Sequence, residues 1–315
     1  MNITLERAVS RLREMDGVLL LTHIRPDGDT VGSAAALCRA LRDMGKSAYL
    51  LYNPGITDTY APYAAPCWAP EDFVPAHVVS VDIAAADLLP DNARCYAECV
   101  ELAIDHHPSH TCFAEESFVD ASAAACGEIV YDIIRAMTAV TPEIALPLYV
   151  AIATDCGCFQ YGNTTARTHR IAAELMDTGI QLTAVNRALF RSKSRTRLAM
   201  EAWMVEWAEY YDNDRVVVMQ IPLSLRREMN ATETDIEELS SLAAQVAGTD
   251  CGVTLRELEG GKVKVSLRTG PRVNATEVCA LLGGGGHAAA AGATLPGSIS
   301  EVKQAVLQAI DMVVG

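Results

Sequence analysis

The strongest constraint on the fold is a repeated unit: a short, mostly apolar run that stops at a polar residue, followed by a helical stretch. Residues 17–21, 48–52, 77–81 and 100–104 are such runs. They are too short for helices and read as buried strands. Residues 5–15, 31–44, 123–137, 144–153 and 165–176 read as helices, the second stopped by Gly45. Buried strands alternating with helices predict an α/β domain: a parallel sheet with helices on both faces. Ligands of such sheets lie beyond the carboxyl ends of the strands. The polar residues that follow the strands therefore belong to one set.

Toward the C-terminus the pattern changes. Residues 194–211 read as a connecting helix. Residues 215–221, 252–257 and 262–267 read as strands, and 234–246, 275–282 and 298–313 as helices. With 315 residues, 50% of them hydrophobic, the chain can fill two cores. The expected division is a catalytic domain over 1–190, a connector over 191–211 and a smaller mixed α/β domain over 212–315.

A formal net charge of −15 repels long polyanions, because phosphate-backbone binding needs clustered Lys and Arg. Long duplex nucleic acid is excluded as a partner, and short phosphorylated substrates remain. No apolar stretch reaches the ~18 residues of a membrane span. Residues 1–15 are charged and amphipathic, unlike a secretory signal. The reading is a cytoplasmic protein whose ten cysteines are reduced and mostly small buried hydrophobes.

Four polar clusters follow the apolar runs. His23, Asp27 and Asp29 surround Pro26 and Gly28, which force an irregular loop. Pro-Asp-Gly is also a common surface turn. Asp82 ends its run, either as a ligand or as a simple cap. Asp105-His106-His107 ends the next. Neighbouring side chains on extended backbone point to opposite sides, so one His can bind a metal while the other faces a substrate. Asp155 follows an apolar stretch, as a buried acid needing a cation or as a helix-terminal residue. Oxygen-rich sites with some imidazole suit manganese or magnesium better than zinc. Two such ions can clamp an in-line displacement at phosphorus. In the second domain Arg268 ends a strand, and Gly283, Gly284, Gly285 and Gly286 precede His287. Glycine runs expose backbone N–H groups to phosphate, and Arg grips it with two hydrogen bonds.

In this order the motifs resemble those of the DHH–DHHA1 phosphoesterases, a family containing nanoRNA-degrading, RecJ-type and cyclic-dinucleotide-related enzymes. The resemblance spans nearly the whole chain. It implies one ion on His23, Asp27 and Asp82, and a second on Asp29, Asp82, His106 and Asp155. It implies that Asp105 orients a His ligand and that His107 faces the scissile phosphate, as charge stabiliser or general acid. Arg268, Gly284, Gly285, Gly286 and His287 would bind the nucleotide end away from the cut bond. A homodimer is the expected assembly.

The function so implied is hydrolysis of short nucleotides by a two-metal-activated hydroxide, with manganese preferred over magnesium. The substrates would be oligoribonucleotides of a few residues and 3′-phosphoadenosine 5′-phosphate, as in the nanoRNase and pAp phosphatase members. Alternatives are a soluble phosphodiesterase for cyclic or linear diadenosine dinucleotides, a pyrophosphatase or polyphosphatase, and a non-catalytic nucleotide-binding regulator. The glycine-run domain argues against the pyrophosphatase reading, and the intact set of acids and histidines argues against the regulator.

Overall fold

Valine- and leucine-rich segments form the centre of the first of two units, Met1–Ser192 and Lys193–Gly315. The structure, a computed structural model, describes residues 2–236 and 239–314. In the first unit β1 (Val18–Leu21), β2 (Ala48–Leu50), β3 (His77–Val81), β4 (Val100–Asp105) and β5 (Glu116–Val119) form an all-parallel sheet in the order β2-β1-β3-β4-β5.

Alternate strand residues feed two cores. Val18, Leu20, Val79, Val81, Leu102 and Ile104 pack under five helices. These are α1 (Leu5–Glu14), α2 (Gly28–Asp43), α3 (Cys126–Met137), α4 (Pro142–Asp155) and α5 (Ala166–Asp177). Leu19, Leu21, Val78, Val100 and Ala103 face the other side, where Phe73, Phe113 and the 3₁₀ helix Asp91–Cys99 cover them. Each Val, Leu or Ile among them contributes roughly 1.5–3 kcal/mol on burial. The chain leaves β1 toward β2 and returns on the opposite side as β3. That reversal opens a crevice between the ends of β1 and β3. His23 and Asp82 follow those two strands.

Helix α2 packs closely along α4. A side chain at Gly28 would overlap Thr154, and one at Gly32 would overlap the Pro147 carbonyl and Ala151. Two glycines four residues apart lie on one helix face. They bring the start of α2, which carries Asp27 and Asp29, against the end of α4, which carries Asp155.

The second unit contains β6 (Glu209–Tyr211), β7 (Val216–Ile221), β8 (Cys251–Leu258), β9 (Lys262–Thr269), β10 (Gly285–His287) and β11 (Ala290–Pro296). Their order is β10-β11-β9-β8-β7-β6, antiparallel except for the β7–β8 pair. Helices α7 (Ala275–Leu281) and α8 (Ile299–Val314) pack on one face, and α6 (Arg195–Glu206) on the other through Met200 and Met204.

Several expectations change in detail. The helix expected over 194–211 stops at Glu206, and residues 209–211 form β6, turned back onto β7 through Asp212, Asn213 and Asp214 in left-handed φ. The helix expected over 234–246 is a short helix, Glu233–Ile236, and a 3₁₀ helix, Leu239–Gln245; Glu237 and Glu238 lie outside the described residues. Cys38, Cys67, Cys126, Cys156, Cys251 and Cys279 are buried, but Cys95, Cys99 and Cys112 are exposed. Among the described residues, no helix is long and apolar enough to cross a membrane.

Candidate metal centre

Asp27 is the N-cap of α2. Its Oδ1 accepts from the N–H groups of Asp29 (3.0 Å) and Thr30 (3.2 Å). These are donors that a helix start leaves unpaired. The same oxygen lies 3.6 Å from His23 Nε2. Asp29, in the first turn, is buried. Its carboxylate accepts from Ser33 Oγ (3.0 Å), Cys126 N (2.6 Å) and Gly127 N (2.9 Å), so it also caps the start of α3. Two helix N-termini thus converge on the site, an arrangement that favours negative charge.

Asp82 is the first residue after β3 and has a left-handed φ of 60°. Such backbone is costly outside glycine and concentrates at functional sites. The Asp82 N–H donates to the Ile104 carbonyl (2.8 Å), which fixes the bend. Its side chain is 2% exposed. Oδ2 lies 3.9 Å from His23 Nε2, and Oδ1 lies 3.6 Å from His106 Nε2. Asp82 therefore stands between two donor sets, His23 with Asp27, and His106 with Asp29 and Asp155. His106 Nε2 is 3.7 Å from Asp29 and 3.9 Å from Asp155.

The tautomer of His106 is set by its other nitrogen. Nδ1 donates to the Ala123 carbonyl at 3.3 Å, so Nε2 presents a lone pair to the carboxylates. Burial, then the neighbouring His107 charge, lowers the His106 pKa and keeps the ring neutral.

Asp105 is fully buried and serves the other histidines. Oδ1 accepts from the backbone N–H of His106 (2.8 Å) and from His107 Nδ1 (2.8 Å), and Oδ2 accepts from His110 Nδ1 (2.7 Å). The ring that Asp105 orients is thus that of His107, whereas the ring of His106 is held by a backbone carbonyl. Burial alone would raise the Asp105 carboxyl, but the bonds from His107 and His110 outweigh it and hold the group well below the usual range. The bond to Asp105 in turn raises the His107 pKa against burial. With Nδ1 committed to Asp105, His107 has Nε2 left for a substrate. His110 was not among the residues singled out from the sequence. It has a 3% exposed side chain, and Nε2 lies 3.3 Å from Ser117 Oγ.

The donor set fits divalent cations. Burial, followed by the charges of Asp29 and Asp27, pushes Asp82 well above the ordinary carboxylate range. Burial, followed by Asp155 and Asp27, does the same to Asp29. Burial and Asp27 push Asp155 up to about 7. Asp82 Oδ1 is buried without a hydrogen-bond partner. When Asp82 is ionised, this oxygen faces the lone pair of His106 Nε2 at 3.6 Å with no proton between them. A cation between them resolves both the repulsion and the unpaired oxygen.

The second-unit residues lie on neighbouring strands at one sheet edge. Arg268, on β9, is paired in register with Ala290 on β11, and its Nη1 donates to the Leu267 carbonyl. The glycine run is partly helix end and partly edge strand. Gly283 and Gly284 donate their N–H groups to the Ala280 and Cys279 carbonyls, closing α7. The Gly284 amide is therefore not available to a phosphate. Its missing side chain instead admits the backbone of Gly292 and Ala293. Gly285, Gly286 and His287 form β10 and are exposed; a side chain at Gly285 would meet nothing.

Comparison with known proteins agrees with this layout. The model of the DHH family, N-terminal domain, matches residues 17–152, and that of the DHHA1 domain matches residues 213–315. The chain is 33% identical over 306 residues to the bifunctional oligoribonuclease and PAP phosphatase NrnA of Thermus thermophilus, covering 95% of this chain and 91% of that protein. It is 24% identical over 287 residues to the Bacillus subtilis protein of the same description, covering 89% and 90%. An exopolyphosphatase-related protein from Bacteroides fragilis has the same fold, with a TM-score of 0.88 at 20% identity over 98% of this chain and 95% of that one. Exonuclease RecJ, solved with manganese, aligns with a TM-score of 0.53 at 13% identity over 98% and 94%. The chain belongs to the DHH family, in which it joins an N-terminal DHH domain to a DHHA1 domain.

Proposed function

We propose that the protein hydrolyses phosphoester bonds in short nucleotides, namely oligoribonucleotides of a few residues and 3′-phosphoadenosine 5′-phosphate. The observation that carries the reading is the position of Asp82, whose two oxygens face two separate donor sets. The relative from Thermus thermophilus, similar over nearly its whole length, supports the substrate class.

His23, Asp27 and Asp82 would hold one ion, and Asp29, Asp82, His106 and Asp155 the other. Carboxylates with two imidazoles favour manganese over magnesium. Divalent ions, when bound, make water nucleophilic at neutral pH and stabilise charge on the attacking and leaving oxygens. The protein's own groups do the rest. His107, whose pKa is raised by its bond to Asp105, stabilises charge on the phosphoryl group and supplies a proton to the departing oxygen through Nε2. In the second unit Arg268, His287 and the exposed backbone of Gly285 and Gly286 bind the far phosphate, with residues 1–190 as catalytic domain, 191–211 as connector and 212–315 as substrate domain.

The test is product release with manganese from the bisphosphate, an RNA dimer, an RNA 24-mer, linear and cyclic diadenosine dinucleotides, and pyrophosphate. Turnover of the bisphosphate and the dimer, absent in His107→Ala, is expected. Turnover of pyrophosphate alone, or of nothing, would overturn the proposal.

A further inference from the structure

Just past Asp155 lies a turn that the metal donors do not use. The chain reverses through Gly157, Cys158 and Phe159, with left-handed φ of 53°, 54° and 65°. Two of these residues are not glycine, so their surroundings must hold them in place. Cys158 N donates to Ala153 O (2.7 Å), Tyr161 N to Cys156 O (3.1 Å) and Thr164 N to Tyr161 O (3.1 Å). Asn163 Nδ2 bonds the carbonyls of Ala124 (2.9 Å) and Asp155 (3.2 Å), tying the turn to two segments of the metal centre.

The turn sends two aromatic rings in different directions. Phe159 packs inward and stacks on His169, with ring centroids 5.3 Å apart. Tyr161 is 59% exposed and has no ring partner among the described residues. Its ring is nevertheless seated, because it lies against Gly157, where a side chain would overlap three of its carbons. Gly157 is two residues from Asp155, a separation of no more than roughly 7.6 Å along the backbone.

A seated aromatic ring with an open flank, next to a phosphate-processing centre, has the makeup of a single-strand stacking platform. We propose that Tyr161 stacks on the base of the nucleoside joined to the scissile phosphate. The inference rests on the nucleotide-hydrolysing reading above and adds a base-recognising element to it. Stacking accepts any base, so the platform selects nucleotides over base-free phosphoesters and not one base over another.

The experiment compares wild type, Tyr161→Ala and Tyr161→Trp on an RNA dinucleotide and on the same compound with abasic ribose. Tyr161→Ala raises KM for the dinucleotide about tenfold or more. Its KM for the abasic compound matches wild type within about twofold. Tyr161→Trp retains wild-type KM on both. Equal losses on both substrates would make the ring a structural part of the Gly157 turn and overturn the proposal, as would no loss on either. A second readout needs no turnover: fluorescence of 2-aminopurine riboside 5′-phosphate is quenched by manganese-loaded wild type and by Tyr161→Trp, but not by Tyr161→Ala. Quenching without hydrolysis by wild type would retain the platform and reject the hydrolase; hydrolysis without Tyr161-dependent quenching would do the reverse.

Discussion

Asp82 Oδ1 and His106 Nε2 face each other at 3.6 Å as two hydrogen-bond acceptors, with the His106 proton held on the opposite ring nitrogen by Ala123. With Asp82 ionised, neither can satisfy the other. Their juxtaposition makes sense as half of a coordination shell, and the other Asp82 oxygen lies 3.9 Å from His23 Nε2.

Asp82→Asn should therefore separate stability from activity. It removes a buried charge from a cluster of carboxylates and keeps a side chain that tolerates left-handed backbone. Metal-free Asp82→Asn is expected to melt higher than metal-free wild type, by an amount equivalent to about 1 kcal/mol. Activity should fall at least ~100-fold, since the residue shared by both donor sets loses its charge. Thermal melts and initial rates check the two halves.

His107→Ala should leave metal binding intact, because Nδ1 of His107 is already committed to Asp105. Its kcat is expected to fall by roughly 10²–10⁴-fold, the range for loss of a general acid. Calorimetric manganese titration beside a kcat measurement distinguishes this outcome from general damage to the site.

His110→Ala removes the donor on Asp105 Oδ2 and leaves a fully buried carboxylate oxygen unpaired. The expected cost is about 1–3 kcal/mol of stability, read from denaturant midpoints. The kcat should also fall, because the His107 ring is then held by an unsecured partner. An effect on stability without one on kcat would show that Asp105 keeps its position unaided.

The metal-free protein should lose stability as pH rises. Asp82 and Asp29 have carboxyls raised by burial and by each other's neighbours, and Asp155 is raised to about 7. A carboxyl whose folded pKa exceeds its unfolded value binds its proton more tightly when folded. Its contribution is fully present below the unfolded value near 4 and disappears as pH rises through the folded value. Melting temperatures without metal should thus fall between about pH 5 and 8. Saturating manganese should reverse the trend, because it binds the ionised form.

Much of the fold was legible because β1, β3 and β4 are short, mostly apolar runs, each followed within two residues by a group at the metal centre. Asp27 and Asp29 could be placed for the same reason, since Pro26 and Gly28 mark a break before a helix. The strands β5, β6, β10 and β11 were missed. β10 is Gly-Gly-His, with no β-branched residue to mark it, and it exists because Gly284 and Gly286 let β11 approach. His110 was invisible for another reason. A histidine in a polar loop has no local signal, and only the turn after β4 brings it back to Asp105. The partner of Asp105 could not be read either, since the choice between adjacent His106 and His107 depends on backbone bends rather than residue type.

The most direct test of a paired metal centre on Asp82 is electron paramagnetic resonance of the manganese-titrated protein. The account predicts two ions per chain whose signals are magnetically coupled, and loss of that coupling in Asp82→Asn. A single isolated six-line manganese spectrum that saturates at one ion per chain would contradict it.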